Sequence, residues 1–303
     1  MSKPETEANI LEVGGHAIRI THADKIMFPA TGEYEALTKL DLARYYQSAA
    51  PALARLTAGR AIIMRRYPEG IDHGGFFQKR TQPWFPDWMA HKVLPLKNGT
   101  LDYVMGGQAA AFVWLAGIGT IELHALLSRA DKPKRPDRII FDLDPPEDYT
   151  DEVRLTALQI RAFCERLGLR SFVKSTGSRG FHIIIPIARR YSFERTRDFA
   201  KWMAGEMIKA QPDRLALDMR KARRAGRILI DVWRNGFGQS AVAPFSVRAR
   251  PGGPIAVPLL WADLQKTDIH PRRVNMANFE TRKAKALAAW TDWPGKAQTL
   301  PKF

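Results

Sequence analysis

Apolar and polar positions along the chain form two kinds of pattern: longer mixed stretches, and short apolar runs bounded by turn residues. The longer stretches predict helices and the short runs predict strands. The predicted helices are Thr38–Leu56 with Thr38 as its N-cap, Ala109–Leu115, Glu152–Leu167, Phe193–Ala210 and Phe279–Trp290. The predicted strands are a pair around Leu11–Ile20, then Ala61–Arg66, Gly119–His124, Arg138–Leu143, Ser171–Ser175, Phe181–Ile187 and Arg227–Trp233.

Strands and helices alternate most clearly in the second half of the chain. Such alternation predicts an α/β or α+β fold in which helices cover a sheet. The sequence has no internal repeat and no Gly/Ser linker. We therefore predict one domain over residues 1–303, and the charged, proline-bearing loop Ser128–Pro136 is the weak point between a part at 1–130 and a part at 131–303.

The charge balance points to a polyanionic partner. The 303 residues include 47 Lys plus Arg against 31 Asp plus Glu, which gives a net charge of +16. A hydrophobic content of 45% excludes a disordered basic tail. We expect nucleic acid before a membrane, and the alternative is a basic surface that is merely solvated.

Other features exclude several classes of protein. The single cysteine, Cys164, excludes an intramolecular disulfide and a multi-cysteine zinc site, and we expect it to be a small core residue. The segment Met1–Asn9 lacks the apolar region of a secretory signal. The most apolar stretch, Ala109–Ile121, is too short to span a bilayer. A cytoplasmic protein is expected.

Two carboxylates end one predicted strand, in the run Ile139–Pro146. Asp142 and Asp144 are separated by one residue, so they point to the same side of the strand. Neighbouring carboxylates repel unless a cation lies between them, and a hard divalent cation is the common solution. Taken alone, this pattern also fits a polar strand end with a helix cap.

A second apolar run, Arg227–Trp233, also contains a carboxylate near its end, Asp231. If both strands lie in one sheet, Asp231 joins Asp142 and Asp144 and the three can hold two metal ions. That is the arrangement of two-metal phosphoryl-transfer enzymes. A salt bridge from Asp231 to a nearby arginine is the alternative.

The loop Ser175–His182 carries groups that suit a phosphate. Its two glycines allow backbone N–H groups to approach an anion, and the hydroxyls of Thr176 and Ser178 can donate to phosphate oxygens. Arg179 supplies a forked cation, and His182 opens the next strand. The loop is not a P-loop, because neither the lysine motif nor a following helix is present.

Further basic residues stand downstream and upstream of this loop. Arg248 and Arg250 are at strand spacing and would face one side, which suits a triphosphate; exposed arginines on an edge strand are the alternative. His124 is a lone histidine after an apolar strand, a position more typical of a core histidine than of a ligand.

Together these segments resemble the archaeo-eukaryotic primase superfamily, and in particular the polymerase domain of bacterial non-homologous end-joining ligase D. The resemblance runs nearly end to end, from Ile20–Lys25 to Arg248–Pro251. Its specific motifs are FDLDPP, STGSRGFH, and DVWRN followed by SVRARPG. The resemblance implies a primase-like fold with mixed central sheets flanked by helices.

The resemblance also implies roles for individual residues. Asp142, Asp144 and Asp231 match the catalytic, metal-binding carboxylates, which hold two Mn²⁺ or Mg²⁺ ions. The residues implied for the nucleotide pocket are His124, Thr176, Ser178, Arg179, His182, Arg248 and Arg250. The residues implied for DNA are Lys25, Lys39, Arg65 and Arg66, near a 5′-phosphate, and Phe76 and Phe77, which stack on template bases. Buried core is the competing interpretation of the two aromatics, and one of them is expected to be core.

Several positions depart from the family pattern. Thr176 and Arg179 stand where Ser and Lys are common, and both keep the hydroxyl and the charge. Arg65 stands where Lys is usual. Arg234 lies where relatives vary, which leaves the tuning of the ribose or metal site open.

The implied activity is that of a template-dependent nucleotidyltransferase that fills gaps and extends ends at 5′-phosphorylated breaks, with a preference for ribonucleotides and manganese. The implied partners are DNA, NTP or dNTP, Ku and a DNA ligase, at the nucleoid and without a membrane. Residues 1–130 would contact DNA, and residues 131–303 would bind metal and nucleotide. The chain is either a stand-alone polymerase or one domain of a larger ligase.

Two other functions are weighed against this one. A phosphatase of the haloacid dehalogenase type requires Thr or Val two residues after the second Asp, where this chain has Pro146, and it leaves the loop Ser175–His182 without a role. A catalytically inert nucleic-acid-binding module would not need three carboxylates at strand ends, because they repel DNA.

Overall fold

The structure, a computed structural model, describes residues 9–303. These residues form two compact units. Unit 1 comprises the chain up to Ala125 together with Val242–Ile255 and Asn275–Phe279, and unit 2 comprises Leu126–Ala241, Ala256–Val274 and Glu280–Phe303. The sequence predicts no secretory signal in Met1–Asn9. Of this segment, residues 1–8 lie outside the described residues. Within residues 9–303, no helix has the length and apolar character needed to cross a membrane.

The first part of the chain, which builds unit 1, is rich in short strands. The helices are α1 (Lys39–Thr57) and α2 (Ala109–Gly117). The strands are β1 (Ile10–Val13), β2 (His16–Arg19), β3 (Ile26–Phe28), β4 (Leu37–Thr38), β5 (Ala61–Arg66), β6 (Phe76–Gln78), β7 (His91–Pro95), β8 (Thr100–Met105) and β9 (Thr120–Leu126).

Helix α1 begins where the sequence predicts. The hydroxyl of Thr38 accepts the backbone N–H of Asp41, and the Asp41 carboxylate accepts the N–H of Thr38 at 2.8 Å, which is a capping box. One face of α1 is buried, including Leu42, Tyr46 and Leu53, and the helix packs against α2. Beside it, β9, β5, β8 and β7 follow one another in a sheet, and β6 pairs with the end of β5.

Longer helices and a six-stranded sheet form most of unit 2. The strands are β10 (Arg138–Asp144), β11 (Phe172–Ser175), β12 (Phe181–Pro186), β13 (Leu215–Ala216), β14 (Ile228–Asp231) and β16 (Pro258–Leu259). The strand β15 (Ser240–Val242) lies where the chain passes back to unit 1. The helices are α3 (Asp151–Arg166), α4 (Phe193–Ala210), α5 (Lys221–Arg224) and α6 (Phe279–Ala288).

The sheet of unit 2 has the order β13-β14-β10-β12-β11-β16, so that β10 lies between two antiparallel neighbours. Its core includes Phe141, Ile183 and Ile230 from the sheet with Ile160 and Phe199 from the helices. Cys164 is part of this core, as predicted, and burial raises the pKa of its thiol to about 12.

The predicted helices and strands are present, with their ends shifted by a few residues at most. The largest change is at β14, which ends at Asp231 because the Asp231 side chain accepts the N–H of Trp233 and starts a short 3₁₀ helix, Trp233–Asn235. The sequence patterns missed the strands β3, β4, β6, β7, β8, β13, β15 and β16 and the short helix α5. β6 and β7 are mostly exposed at the sheet margin, so they lack a continuous apolar run.

Candidate functional site

Three acidic side chains of unit 2, Asp142, Asp144 and Asp231, form what we name the carboxylate cluster. Asp142 on β10 is the direct cross-strand partner of Asp231 on β14, and Asp144 is two residues further along the same face of β10. Both strands therefore lie in one sheet, which was the condition for Asp231 to join the other two acids. Asp142 and Asp231 are buried, with exposed fractions of 6% and 2%, and Asp144 is partly exposed.

In each of the two paired carboxylates, one oxygen contacts a nearby nitrogen atom. Asp142 Oδ1 lies 3.3 Å from His182 Nε2, and Asp231 Oδ1 accepts the N–H of Trp233 at 2.8 Å. The two remaining oxygens both face one guanidinium: Arg234 Nε lies 3.3 Å from Asp142 Oδ2 and 3.2 Å from Asp231 Oδ2. The second oxygen of Asp142 and the second oxygen of Asp231 thus contact the same cation.

The pKa values of the three acids in this cluster are shifted in different directions. Burial and the charge of Asp142 raise the pKa of Asp144 to about 6, and the same two causes raise the pKa of Asp231. Asp142 is also buried, but the contact with His182 and the charges of Arg234 and Lys174 outweigh this and hold its pKa well below the usual range. Asp144 therefore takes up a proton more readily than a free aspartate, because burial and the charge of Asp142 disfavour its ionised form.

His182 is neutral at pH 7, because burial, together with the charge of Lys174, lowers its pKa to about 4. Its contact with Asp142 is thus one between a neutral ring and a carboxylate. The sequence reading did not single out Lys174. It is buried on β11, directly opposite His182 in the sheet, and a lysine within the predicted strand Ser171–Ser175 was the available signal.

The donor chemistry of the cluster fits a divalent metal ion. Carboxylate oxygens are the ligands that Mg²⁺ and Mn²⁺ prefer, and a cationic group already lies where two of these oxygens converge. Across the described residues 9–303, no three His, Cys, Asp or Glu side chains are placed to hold a metal ion as they stand. In the cluster, the guanidinium of Arg234 takes the space between Asp142 and Asp231.

The loop Ser175–His182 lies against the end of β10. Thr176 Oγ1 donates to the carbonyl of Gly180 at 3.0 Å and accepts the N–H groups of Ser178 and Gly180, so this hydroxyl closes the turn. A Cβ on Gly180 would lie 1.7 Å from the carbonyl oxygen of Leu143, so only glycine permits this approach. Arg179 donates to the carbonyl of Glu147, and its charge acts on Asp144.

In unit 1, a buried acid gathers basic residues, and we name this group the Glu122 cluster. The carboxylate of Glu122 lies 3.1 Å from His124 Nε2, 3.3 Å from Arg248 Nε and 3.6 Å from Arg65 Nη1, and it accepts the N–H of Ala249 at 3.1 Å. Glu122 is 2% exposed. Although burial opposes it, the hydrogen bond with His124 and the charge of Arg248 lower the pKa of Glu122 to about 2.

The sequence reading did not identify Glu122 as functional. The signal was a carboxylate two residues before His124 in an apolar strand, because a buried acid requires partners of opposite charge. The prediction that Arg248 and Arg250 lie at strand spacing is wrong. They belong to a turn in which the N–H of Arg250 donates to the carbonyl of Arg248 at 2.8 Å.

Phe76 and Phe77 are both exposed, at 49% and 56%, so the expectation that one of them is core is wrong. They lie on β6, opposite Arg66 and Arg65 of β5. The Arg65 guanidinium lies 5.4 Å from the ring centre of Phe77, and that of Arg66 lies 5.7 Å from that of Phe76. The short strand therefore presents two aromatic rings to solvent, each beside a cation.

The other predicted DNA-contacting residues differ in accessibility. Lys25 pairs with exposed Glu69 at 2.8 Å. Lys39 is buried and donates to the carbonyl of Thr21, and burial together with the charge of Lys25 lowers its pKa. Arg66 donates to the carbonyl of Ile118. Lys25, Lys39 and Arg66 therefore each donate to a backbone carbonyl in this structure, and Lys25, Arg65 and Arg66 are partly exposed.

Comparisons with known proteins agree with one another. Residues 38–290 match the family model described as "LigD, primase-polymerase domain". The chain is 30% identical over 259 residues to the multifunctional non-homologous end joining protein LigD of Mycolicibacterium smegmatis, and 29% identical over 289 residues to that of Pseudomonas aeruginosa. These alignments cover 84% and 93% of this chain but 34% of each relative. The chain thus spans about a third of the length of the curated relatives that it matches.

A solved structure has a similar fold. It is the polymerase domain from Mycobacterium tuberculosis ligase D in complex with DNA, with a TM-score of 0.81 and 29% sequence identity. The match covers 88% of this chain and 94% of that one. The prediction of a primase-like fold with mixed sheets flanked by helices is therefore confirmed.

Proposed function

Because the chain belongs to the family of LigD primase-polymerase domains, we propose that it is a template-dependent nucleotidyltransferase of DNA end joining. It fills gaps and extends ends at DNA breaks that carry a 5′-phosphate, with a preference for ribonucleotides. The observation that carries the proposal is the direct pairing of Asp142 with Asp231 across two strands, with Asp144 on the same face. An inert nucleic-acid-binding module gains nothing from three acids placed together in this way, because they repel DNA.

The carboxylate cluster is the proposed catalytic centre. Asp142, Asp144 and Asp231 would hold two Mn²⁺ or Mg²⁺ ions, which supply an activated primer 3′-hydroxyl and neutralise charge on the triphosphate. The chain's own contribution is rigid placement, because Asp142 and Asp231 are fixed by strand pairing and their outer oxygens by His182 and the N–H of Trp233. A fixed geometry of this kind reduces the entropic cost of aligning the reacting groups.

The proposed nucleotide-binding residues of unit 2 are those of the loop Ser175–His182. Ser178 and Arg179 are partly exposed and are offered to phosphate oxygens, while Thr176 keeps the turn closed. His182 orients Asp142. In unit 1, we propose that His124, Arg248 and Arg250 contact the triphosphate and that Glu122 holds the first two in place.

The proposed DNA contacts lie in unit 1. Phe76 and Phe77 present exposed rings on which template bases stack. Lys25 and Arg65 bind the 5′-phosphate, and Lys39 and Arg66 support the backbone around them. The similar Mycobacterium tuberculosis domain was solved in complex with DNA, which supports DNA as the partner of this chain.

The relatives are named as non-homologous end joining proteins, and this chain covers only 34% of the length of each. We propose on that basis that the chain works with a DNA ligase activity and with the end-binding protein Ku, at the nucleoid. Binding to such partners would bring the polymerase to broken DNA ends.

Primer extension tests the proposal. The substrate is a short gapped duplex with a 5′-phosphate, supplied with manganese and either rNTPs or dNTPs, and parallel reactions contain EDTA. We expect addition that follows the template base, stops in EDTA, and is faster with ribonucleotides. Tight DNA binding without addition under any metal or nucleotide would instead identify an inert binding module.

A further inference from the structure

Arg234 is fixed above the carboxylate cluster by the short 3₁₀ helix Trp233–Asn235. The next residue, Asn235, is buried and anchors this helix to β10: its Nδ2 donates to the carbonyl of Ile140, and its Oδ1 accepts the N–H of Ile140, both at 2.8 Å. The backbone of Arg234 therefore has a fixed position relative to Asp142. Its guanidinium is directed between Asp142 and Asp231.

The position of the guanidinium is incompatible with a metal ion bridging these two acids. Arg234 Nε lies 3.2 to 3.3 Å from Asp231 Oδ2 and Asp142 Oδ2, the two carboxylate oxygens that face away from His182 and from the N–H of Trp233. A divalent ion bound to the same two oxygens would lie about 2.1 Å from each. The ion and the guanidinium would then compete for the same two oxygens, and their like charges would repel.

The contact is also one that can be broken. Arg234 Nε is buried, and its distances of 3.3 and 3.2 Å from the two carboxylate oxygens are longer than the about 2.7–2.9 Å of a strong charge-assisted hydrogen bond, so the contact is a weak one. The side chain as a whole is 39% exposed, so the guanidinium can turn toward solvent while Asn235 keeps the backbone in place.

We propose that Arg234 is an internal counter-ion that fills the metal position of the metal-free protein and must move aside before a divalent ion binds. This inference rests on the proposed function of the carboxylate cluster. Arg234 thereby stabilises the paired acids when metal is scarce, and it sets the metal concentration at which the site fills. It therefore controls the affinity of the site for metal without being one of the ligands.

Calorimetric titration with Mn²⁺ tests this directly, using the full chain without DNA or nucleotide. Arg234→Gln removes the charge, Arg234→Lys keeps it, and Arg161→Gln removes a similarly exposed arginine of unit 2 that pairs with Glu165. We expect Arg234→Gln to bind Mn²⁺ about tenfold more tightly than the wild type, a difference of about 1.4 kcal/mol. Arg234→Lys and Arg161→Gln should bind like the wild type.

Thermal unfolding gives a second readout. Relative to the wild type, Arg234→Gln should melt at a lower temperature in EDTA and show a larger rise on addition of Mn²⁺, because the acids then lack their counter-ion. Should Arg234→Gln not fold, Arg234→Met provides the same charge removal.

Three outcomes would overturn the inference. If the wild type binds Mn²⁺ and Arg234→Gln binds it equally or less tightly, Arg234 does not compete with metal and the proposed function stands. If Arg234→Lys tightens binding as much as Arg234→Gln, charge is not the cause. If neither the wild type nor any variant binds Mn²⁺, both the inference and the proposed metal centre fail.

Discussion

Asp142 and Asp231 are direct cross-strand partners on β10 and β14, and both are almost completely buried. Two buried acids at this separation require a cation, and Arg234 supplies one through contacts of 3.3 and 3.2 Å. The pairing makes the two residues one functional group, so that the loss of either should have the same effect.

Asp142→Asn and Asp231→Asn should each reduce nucleotide addition by about a hundredfold or more, because a lost ligand misplaces the reacting groups. DNA affinity should stay the same or increase, since removing negative charge favours a polyanion. Primer extension and fluorescence anisotropy measure the two effects. Asp131→Asn, at an exposed acid paired with Arg189, is the matched control. Extension by both variants at the wild-type rate would disprove the assignment of the catalytic acids.

Phe76→Ala and Phe77→Ala should weaken binding to a primer–template by about 1–3 kcal/mol each, the contribution of one stacked base. The melting temperature should change little, because both rings are exposed. Anisotropy titrations and thermal unfolding provide the two numbers. Val93→Ala removes another exposed apolar side chain of unit 1 and should leave DNA affinity unchanged. Unaltered affinity in both phenylalanine variants would mean that the rings do not contact bases.

Arg65→Ala and Lys25→Ala should reduce the preference for a gap that carries a 5′-phosphate, because both are partly exposed cations among the predicted phosphate-binding residues. The measurement is the ratio of dissociation constants for phosphorylated and unphosphorylated gaps at one salt concentration. Lys92→Ala, at an exposed lysine on β7, should leave that ratio unchanged. Equal binding of both gaps by the wild type would remove the proposal of a phosphate site.

Glu122→Gln should destabilise the protein in a pH-dependent manner. Because the pKa of Glu122 falls from 4.5 to about 2 on folding, its stabilisation is complete above pH 4.5 and is lost as the pH falls toward 2. A shift of this size corresponds to about 3 kcal/mol at neutral pH. Urea unfolding at pH 7, 4 and 3 should therefore show a difference between wild type and variant that shrinks with acidification. A difference that stays constant across the three pH values for Glu122→Gln would contradict the ion-pair explanation.

Gly180→Ala should lower the free energy of unfolding by about 2 kcal/mol or more and impair nucleotide addition, because a Cβ would meet the carbonyl of Leu143 at 1.7 Å and push the loop from β10. Gly205→Ala is a matched control. It lies in α4 with open space around its Cβ position, so that alanine should stabilise the helix by about 0.5–1 kcal/mol. Equal urea midpoints for wild type and Gly180→Ala would show that the loop can move without cost.

Local sequence determined most of the helices and strands, and it determined the spacing of Asp142 and Asp144. Thr38 and Asp41 are close enough in the chain to begin α1 by themselves, and the two-residue period of a strand places Asp142 and Asp144 on one face. β6 and β7 were not predicted because they are short and mostly exposed, so neither has the continuous apolar run that marks a buried strand.

Only the tertiary structure decided which distant residues meet. The register that sets Asp142 against Asp231, the guanidinium of Arg234 between them, the gathering of Arg65, His124 and Arg248 around Glu122, and the exposure of both Phe76 and Phe77 all depend on contacts between segments far apart in the chain. Propensity and periodicity act over a few neighbouring residues. Charge pairing and burial depend on every segment that packs nearby, and those neighbours exist only once the chain has folded.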